Sequence, residues 1–222
     1  MIKACVFDAY GTLFNLDVPH APLKAALQEQ APALLDLWRR KQLEYTWLRT
    51  LMNRYAPFEQ VTEDALKFAF EAFEVEDKSL FEALMQTYWQ PTLYPDVKDA
   101  LQALKEQGKG LAILSNGSPS LLKSGLKHTG LTELFDQVIS AHSVSKFKVH
   151  PNVYQLAEDT LEYYPDELSF QSANAWDIIG ATTYGFTTVW INRRGQQLDR
   201  LGIDPDHQLK DLIGLPKLVQ NL

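Results

Sequence analysis

Cysteine is almost missing from this chain: Cys5 is the only one in 222 residues. No disulfide can form within the chain, and the run Cys5-Val6-Phe7 reads as a small buried hydrophobe in a reducing compartment. Long apolar runs are missing too. None approaches the roughly 18 residues that a membrane span needs, and Met1-Ile2-Lys3 leads straight into a strand pattern with no signal-like segment before it. The expectation is a soluble, cytoplasmic protein. Positive charge is in deficit, with 21 lysines and arginines against 28 acidic residues and a formal net charge of −7. That argues against nucleic acid or an anionic membrane as a partner. It leaves a small anionic substrate open, because positive groups inside a pocket outweigh global charge. Glycine and proline are unremarkable at 11 each, which excludes fibrous and low-complexity classes. What is present is 45% hydrophobic residues, enough at this length for one core domain and a modest insertion.

The pattern along the chain changes character twice. Lys3 to Phe7 is an apolar run ending at Asp8 and Tyr10-Gly11-Thr12, a buried strand followed by a tight loop. Residues near 20–90 are helical in pattern, and the longest candidate starts near Pro32 and runs through Leu35, Trp38, Leu43, Trp47 and Leu51. From Pro95 onward strands and helices alternate. Asp96 is a candidate cap for a helix that Gly108 ends. Leu111–Leu114 is a strand, and Ser118-Pro119 opens a helix. Gln137–Ile139 is a short strand, and His150-Pro151 opens another helix. Leu168–Phe170 is a strand. Asn174 with Asp177 three residues on has the form of a capping box, and Thr187–Ile191 is the last clear strand. This alternation implies an α/β fold with a doubly wound parallel sheet. The helical block after the first strand is too long for a crossover, so it reads as an inserted helical cap domain: 1–15 and 95–222 form the core, 16–94 the cap. Ligands of such sheets bind beyond the carboxyl ends of the strands. Asp8, Ser115, Lys148 and Ser172–Asp177 all fall there.

Those residues carry a family resemblance. Phe7-Asp8-Ala9-Tyr10-Gly11-Thr12-Leu13 resembles the first motif of the haloacid dehalogenase superfamily, and Leu114-Ser115-Asn116-Gly117 the second. Lys148 followed by His150-Pro151 resembles the third, and Ser172-Ala173-Asn174-Ala175-Trp176-Asp177 the fourth. All four occur in order and span most of the chain. Superfamily phosphatases carry a second Asp where Tyr10 stands here, and paired acids for Mg²⁺ where only Asp177 is acidic. The cap segment Trp38–Arg49 and the Ser-x-Asn-Ala-Trp-Asp run are instead similar to the L-2-haloacid dehalogenases. Two positions depart from that pattern. Val149 stands where Pro is common, which should matter little, and Ala173 stands where a second serine is usual, which puts one minor hydrogen bond in doubt.

The resemblance implies a hydrolase that converts short L-2-haloacids to D-2-hydroxy acids through an aspartyl ester, with inversion at C2 and no metal or cofactor. A halide leaves without a proton, so Tyr10 can stand where phosphatases keep an acid. The resemblance makes Asp8 the nucleophile and Lys148 the charge that keeps it ionised. Asp177 and Asn174 position or activate the hydrolytic water, with Ser172 in support, and Thr12 and Tyr154 are supports that orient Asp8. Ser115 would bind the substrate carboxylate, helped by backbone amides near Tyr10 and Asn116. Arg39 would receive the halide, with Asn116 and Trp176 completing the cradle. Leu43, Phe58 and Trp176 would wall the substrate side chain. A homodimer is common in the family. Each residue also has a plainer reading. Asp8 and Ser115-Asn116 are turn chemistry, and Lys148 is a solvated lysine beside Lys146. Arg39-Arg40-Lys41 is a solvated helix face, Asn174-Asp177 a helix cap, and Tyr154 and Phe58 core. A phosphatase of the same superfamily and a non-catalytic binding protein remain the competing functions.

Overall fold

The computed structural model describes residues 1–16, 27 and 30–222. The helical pattern expected from about residue 20 and the start of the inserted segment therefore lie partly outside the described residues. The core is a six-stranded parallel sheet in the order β5-β4-β1-β6-β7-β8. Its strands are β1 (Ala4–Phe7), β4 (Gly110–Ser115), β5 (Gln137–Ser140), β6 (Leu168–Ser172), β7 (Thr187–Ile191) and β8 (His207–Leu209). The chain moves outward from β1 through β4 to β5, then returns to the other side of β1 for β6, β7 and β8. The strand order thus reverses at β1, and ligand crevices of open α/β sheets form at such a point. The three-residue β8 lies past the last strand that the sequence pattern reveals.

Alternation along the strands sorts side chains to two faces. Cys5, Phe7, Leu111 and Ile113 pack on one side with α4 (Val97–Glu106), α5 (Pro119–Thr129) and α8 (Leu215–Gln220). Ala4, Val6, Leu168 and Phe170 pack on the other with α6 (Pro151–Leu161) and α7 (Ala175–Tyr184). Helices on both faces make the sheet doubly wound. Burial pushes the Cys5 thiol up to about 12, as suits an inert core residue. Register fixes the rim: Phe7 lies opposite Ile113 and Gln171, so Asp8 and Ser172 end adjacent strands at the same height. The alternation turns both towards the α6–α7 face.

Between residues 16 and 91 the chain makes, among its described residues, the helices α1 (Ala31–Leu51), α2 (Phe58–Ala72) and α3 (Lys78–Trp89). It leaves the core through β2 (Phe14–Asn15) and returns through β3 (Thr92–Leu93), which pair antiparallel. Exit and entry therefore lie side by side. Pro32 sits in the first turn of α1, where a proline loses no helix hydrogen bond. The buried positions of α1 are Ala31, Leu34, Trp38, Gln42 and Thr46, spaced three or four apart. Leu35, Arg39 and Leu43 form the half-buried flank of that stripe.

Local caps follow sequence chemistry in two places and depart from it in two. Ser118 accepts from Leu121 N, and the His150 side chain accepts from Asn152 N ahead of Pro151. Asp96 precedes α4 without capping it, because its carboxylate accepts from Arg193 Nη1 at 3.0 Å and Leu212 N at 2.7 Å. Asn174 precedes α7 in extended conformation, and its side chain makes no cap either. The capping-box reading of Asn174 and Asp177 is corrected: both side chains turn to the rim of the sheet.

Candidate active site

Asp8 directly follows β1 and is 6% exposed. Its two carboxylate oxygens are held unequally. Oδ2 accepts from Thr12 Oγ1 at 2.9 Å, Asn174 Nδ2 at 3.0 Å and Ser172 Oγ at 3.4 Å. Among the described residues, Oδ1 faces a single donor, Lys148 Nζ at 3.2 Å. Thr12 is fixed in turn by the Ala173 N–H, which donates to its Oγ1 at 2.8 Å. At position 173 the support thus comes from the backbone, independent of the side chain.

Lys148 is 1% exposed, where an unpaired ammonium would not be tolerated. Its Nζ also donates to Asp177 Oδ2 at 2.8 Å and lies 4.9 Å from the Phe170 ring centroid. Its backbone N–H donates to Asn116 Oδ1 at 2.9 Å, which ties the β4 loop to the lysine loop. Burial pulls the lysine pKa down, but Asp177 and Asp8 outweigh it and hold it above the ordinary value. Asp177 is fully buried. Burial pushes its pKa up to about 6, against the pull of Lys148 and with a further push from Asp8. Its other oxygen accepts from Tyr154 Oη at 2.9 Å, so the expectation that Tyr154 orients Asp8 is corrected: its hydroxyl holds Asp177. Tyr154 is held well above the usual phenol range, by burial first and by Asp177 second, so it stays protonated and donates to Asp177. Tyr154 reaches this position because residue 180 is glycine: a Cβ there would collide with Tyr154 Oη and come within 2.8 Å of Val149 Cγ1.

A second group comes from α1, α2 and α3. The cluster Arg39-Arg40-Lys41 divides by helix geometry. Arg40 pairs with Asp36 at the surface and Lys41 with Glu44, while Arg39 turns inward. Arg39 Nη1 donates to Gln42 Oε1, and Nη2 donates to Asn174 Oδ1 at 3.3 Å. Arg39, Leu43, Asn174 and Trp176 line a cavity of about 620 Å³ with Gly11 and Tyr88. Asp8 is not in that lining among the described residues. Trp176 stands edge-on to Trp47, with centroids 5.7 Å apart.

Three residues expected at the site have other company as well. Tyr10 Oη donates to the Tyr88 carbonyl at 2.9 Å, and burial raises its pKa beyond any acid role. Phe58 lies in an aromatic cluster with Tyr10, Tyr88 and Phe147 rather than in the cavity lining. Ser115 ends β4, and its Oγ accepts from Gly117 N at 3.1 Å, which leaves its proton free to be donated to an anion. Sequence reasoning passes over Gln42, Thr62, Tyr88 and Gly180. For Gln42 a signal exists, since it lies four residues after Trp38 and four before Thr46 on the buried stripe.

Residues 2–185 match the sequence profile of the haloacid dehalogenase-like hydrolases. Over 224 aligned residues the chain is 46% identical to (S)-2-haloacid dehalogenase 1 of Pseudomonas sp. (strain CBS-3), covering 100% of this chain and 98% of the relative. It is 44% identical over 225 residues to (S)-2-haloacid dehalogenase 4A of Burkholderia cepacia, covering 100% and 96%. Among solved structures, the L-2-haloacid dehalogenase of Xanthobacter autotrophicus with chloropropionic acid covalently bound superposes with a TM-score of 0.92. Identity is 35% and coverage 100% of both chains.

Proposed function

The chain belongs to the haloacid dehalogenase-like hydrolases, as an enzyme of the (S)-2-haloacid dehalogenase branch, and on that premise we propose that Asp8 displaces halide from C2 of a short L-2-haloacid. The unequal holding of the two Asp8 oxygens carries the reading. Oδ1 has one donor and keeps a lone pair for carbon; Oδ2 has three. Attack by Oδ1 from behind C2 forms an ester as the carbon–halogen bond breaks, and the halide leaves with the bonding pair. Inversion follows from backside attack.

Hydrolysis then uses the other oxygen. Water attacks the Asp8 carbonyl carbon and passes a proton to Asp177, whose pKa near 6 suits a base at neutral pH. The negative charge that builds on Oδ2 meets the donors already aimed at it: Thr12, Ser172 and Asn174. Preoriented donors of this kind stabilise a tetrahedral intermediate. Collapse breaks the bond from the Asp8 carbonyl carbon to Oδ1, Asp177 returns its proton to the departing alkoxide, and a D-2-hydroxy acid leaves; the Asp8 carboxyl, now holding the water oxygen, loses its remaining proton to solvent. Lys148 Nζ lies between Asp8 and Asp177 and supplies the local positive charge in both steps. The substrate carboxylate lies against Ser115 and the backbone amides near Tyr10 and Asn116. Arg39, Asn116 and Trp176 receive the halide, and Leu43 with Trp176 bounds the side chain. Tyr10, whose hydroxyl is turned to Tyr88, gives no proton, and a halide needs none. Residues 16–94 act as a cap that limits bulk water during displacement.

The test is halide release from each enantiomer of 2-chloropropionate in buffer with EDTA. Chloride from the L enantiomer alone, with D-lactate as product, is the expected result. A single turnover in H₂¹⁸O should place the label in Asp8 and leave the product unlabelled. No chloride from either enantiomer would refute the proposal, and first-turnover label in the lactate would refute the ester.

A further inference from the structure

We propose that Gln42 is the positioning residue that aims Arg39 at the departing halide while leaving its charge unneutralised. The inference rests on the halide-cradle reading of Arg39 above. Gln42 is fully buried on α1, and each of its polar atoms is partnered. Nε2 donates to Thr62 Oγ1 at 2.6 Å. Oε1 accepts from Arg39 Nη1 and from Tyr88 Oη, the latter at 3.2 Å.

The orientation of this amide follows from proton counting. The Thr62 hydroxyl donates its one proton to the Phe58 carbonyl at 2.8 Å. That carbonyl can only accept, so Thr62 Oγ1 must accept from its other neighbour. Gln42 therefore presents its nitrogen to Thr62 and its oxygen to Arg39. Asn174 is fixed by the same logic: its nitrogen faces the Asp8 carboxylate, and its oxygen faces Arg39 Nη2. Among the described residues, the hydrogen-bond partners of Arg39 are these two amide oxygens. Lys148, by contrast, is paired with two carboxylates. An amide oxygen fixes a guanidinium without cancelling its charge; a carboxylate would fix and neutralise it. The cation nearest the leaving group thus stays available to an incoming anion. The arrangement extends to the nucleophile loop, because the Tyr88 carbonyl accepts from Tyr10 Oη.

The experiment is a double-mutant cycle on the rate of halide release in a single turnover, with L-2-chloropropionate and L-2-bromopropionate. The proteins are wild type, Arg39→Ala, Gln42→Met and the double variant. Gln42→Met should slow chloride release about ten-fold with KM changed less than about three-fold, as loss of a transition-state contact does. It should also widen the bromide-to-chloride rate ratio in the same direction as Arg39→Ala, because the poorer leaving group depends more on the cradle. In the Arg39→Ala background Gln42→Met should have no further effect, since Gln42 acts through Arg39. Equal multiplicative losses in both backgrounds, or an unaltered leaving-group ratio, would overturn the role of Gln42 while the cradle stands. Wild-type speed for Arg39→Ala would take down the cradle and this inference together. Thr62→Val removes the acceptor that orients the amide without touching Gln42. It should show the same signature more weakly, and it decides the question alone if Gln42→Met does not fold.

Discussion

The two halves of the site are built on opposite electrostatic principles. The half at the sheet rim pairs charge with charge: Lys148 sits between Asp8 and Asp177, all three buried. The half on α1 and α2 holds its cation with amide oxygens, and hydroxyls complete the network. Strand ends fix the first half, because parallel strands in register bring Asp8 and Ser172 to one height. Helix periodicity fixes the second. The contrast shows how one small site can pair one cation with carboxylates and still offer an open positive charge. Ion pairing satisfies Asp8, the proposed nucleophile, and neutral acceptors satisfy Arg39, the proposed halide receptor.

Breaking the rim half should cost the most. Asp8→Asn is nearly isosteric but removes the nucleophilic charge, and single-turnover halide release should fall by about 10⁴-fold or more. The fold should survive with a loss of about 1–3 kcal/mol, because Lys148 keeps Asp177 as a partner. Rapid-quench halide assay and thermal unfolding read the two quantities. Turnover at the wild-type rate would remove Asp8 from the chemistry.

Breaking the helical half should cost less and cost it differently. Arg39→Ala removes the proposed halide donor, and the loss of one transition-state donor costs about 3 kcal/mol or roughly 10²-fold in rate. Stability should change by less than about 1 kcal/mol, since no carboxylate among the described residues is left without a partner. The comparison fails if the stability loss equals or exceeds that of Asp8→Asn in the same thermal scan.

The difference between the halves also explains what the sequence disclosed. The strands were legible where an apolar run ended at a polar loop, as at Phe7-Asp8 and Leu114-Ser115. β8 was not, because His207-Gln208-Leu209 has no apolar run and finds its place only by pairing with β7. Asn174 and Asp177 satisfy a local capping rule, yet Asp8, Arg39, Lys148 and Tyr154 compete for their side chains across more than 20 residues of sequence. Arg39 could not be told from Arg40 by composition, since one position on a helix decides between cavity and solvent. The spacing of Gln42 from Trp38 and Thr46 marks its burial, but its long-range partner Thr62 leaves no mark in the local pattern.

The halves should separate again by pH. The rim half holds Asp177, the proposed base for hydrolysis, and burial pushes its pKa up to about 6. Below that pH the carboxyl is protonated and hydrolysis loses its base, so kcat should fall about ten-fold per pH unit on the acid side. If displacement rather than hydrolysis uses the helical half, the single-turnover rate of halide release should fall less steeply over the same range. Stopped-flow halide release against steady-state turnover between pH 5 and 8 checks this. Parallel acid limbs for both steps would show that Asp177 governs displacement as well.

The smallest effect sharpens the assignment of that limb to Asp177. Tyr154 Oη donates to the ionised carboxylate, and such a bond favours the charged form and lowers a carboxyl pKa. Tyr154→Phe removes it, so the Asp177 pKa should rise and the acid limb of kcat should move to higher pH. The variant should be a few-fold slower at pH 6 and close to wild type at pH 8, where the carboxyl is ionised in both proteins. Gly180→Ala should act in the same direction, because its Cβ displaces Tyr154 Oη. It should also cost about 1–3 kcal/mol of stability through overpacking, which Tyr154→Phe does not share. A pH profile that keeps its position in both variants, with the rate lowered uniformly, would mean that the limb belongs to a group other than Asp177.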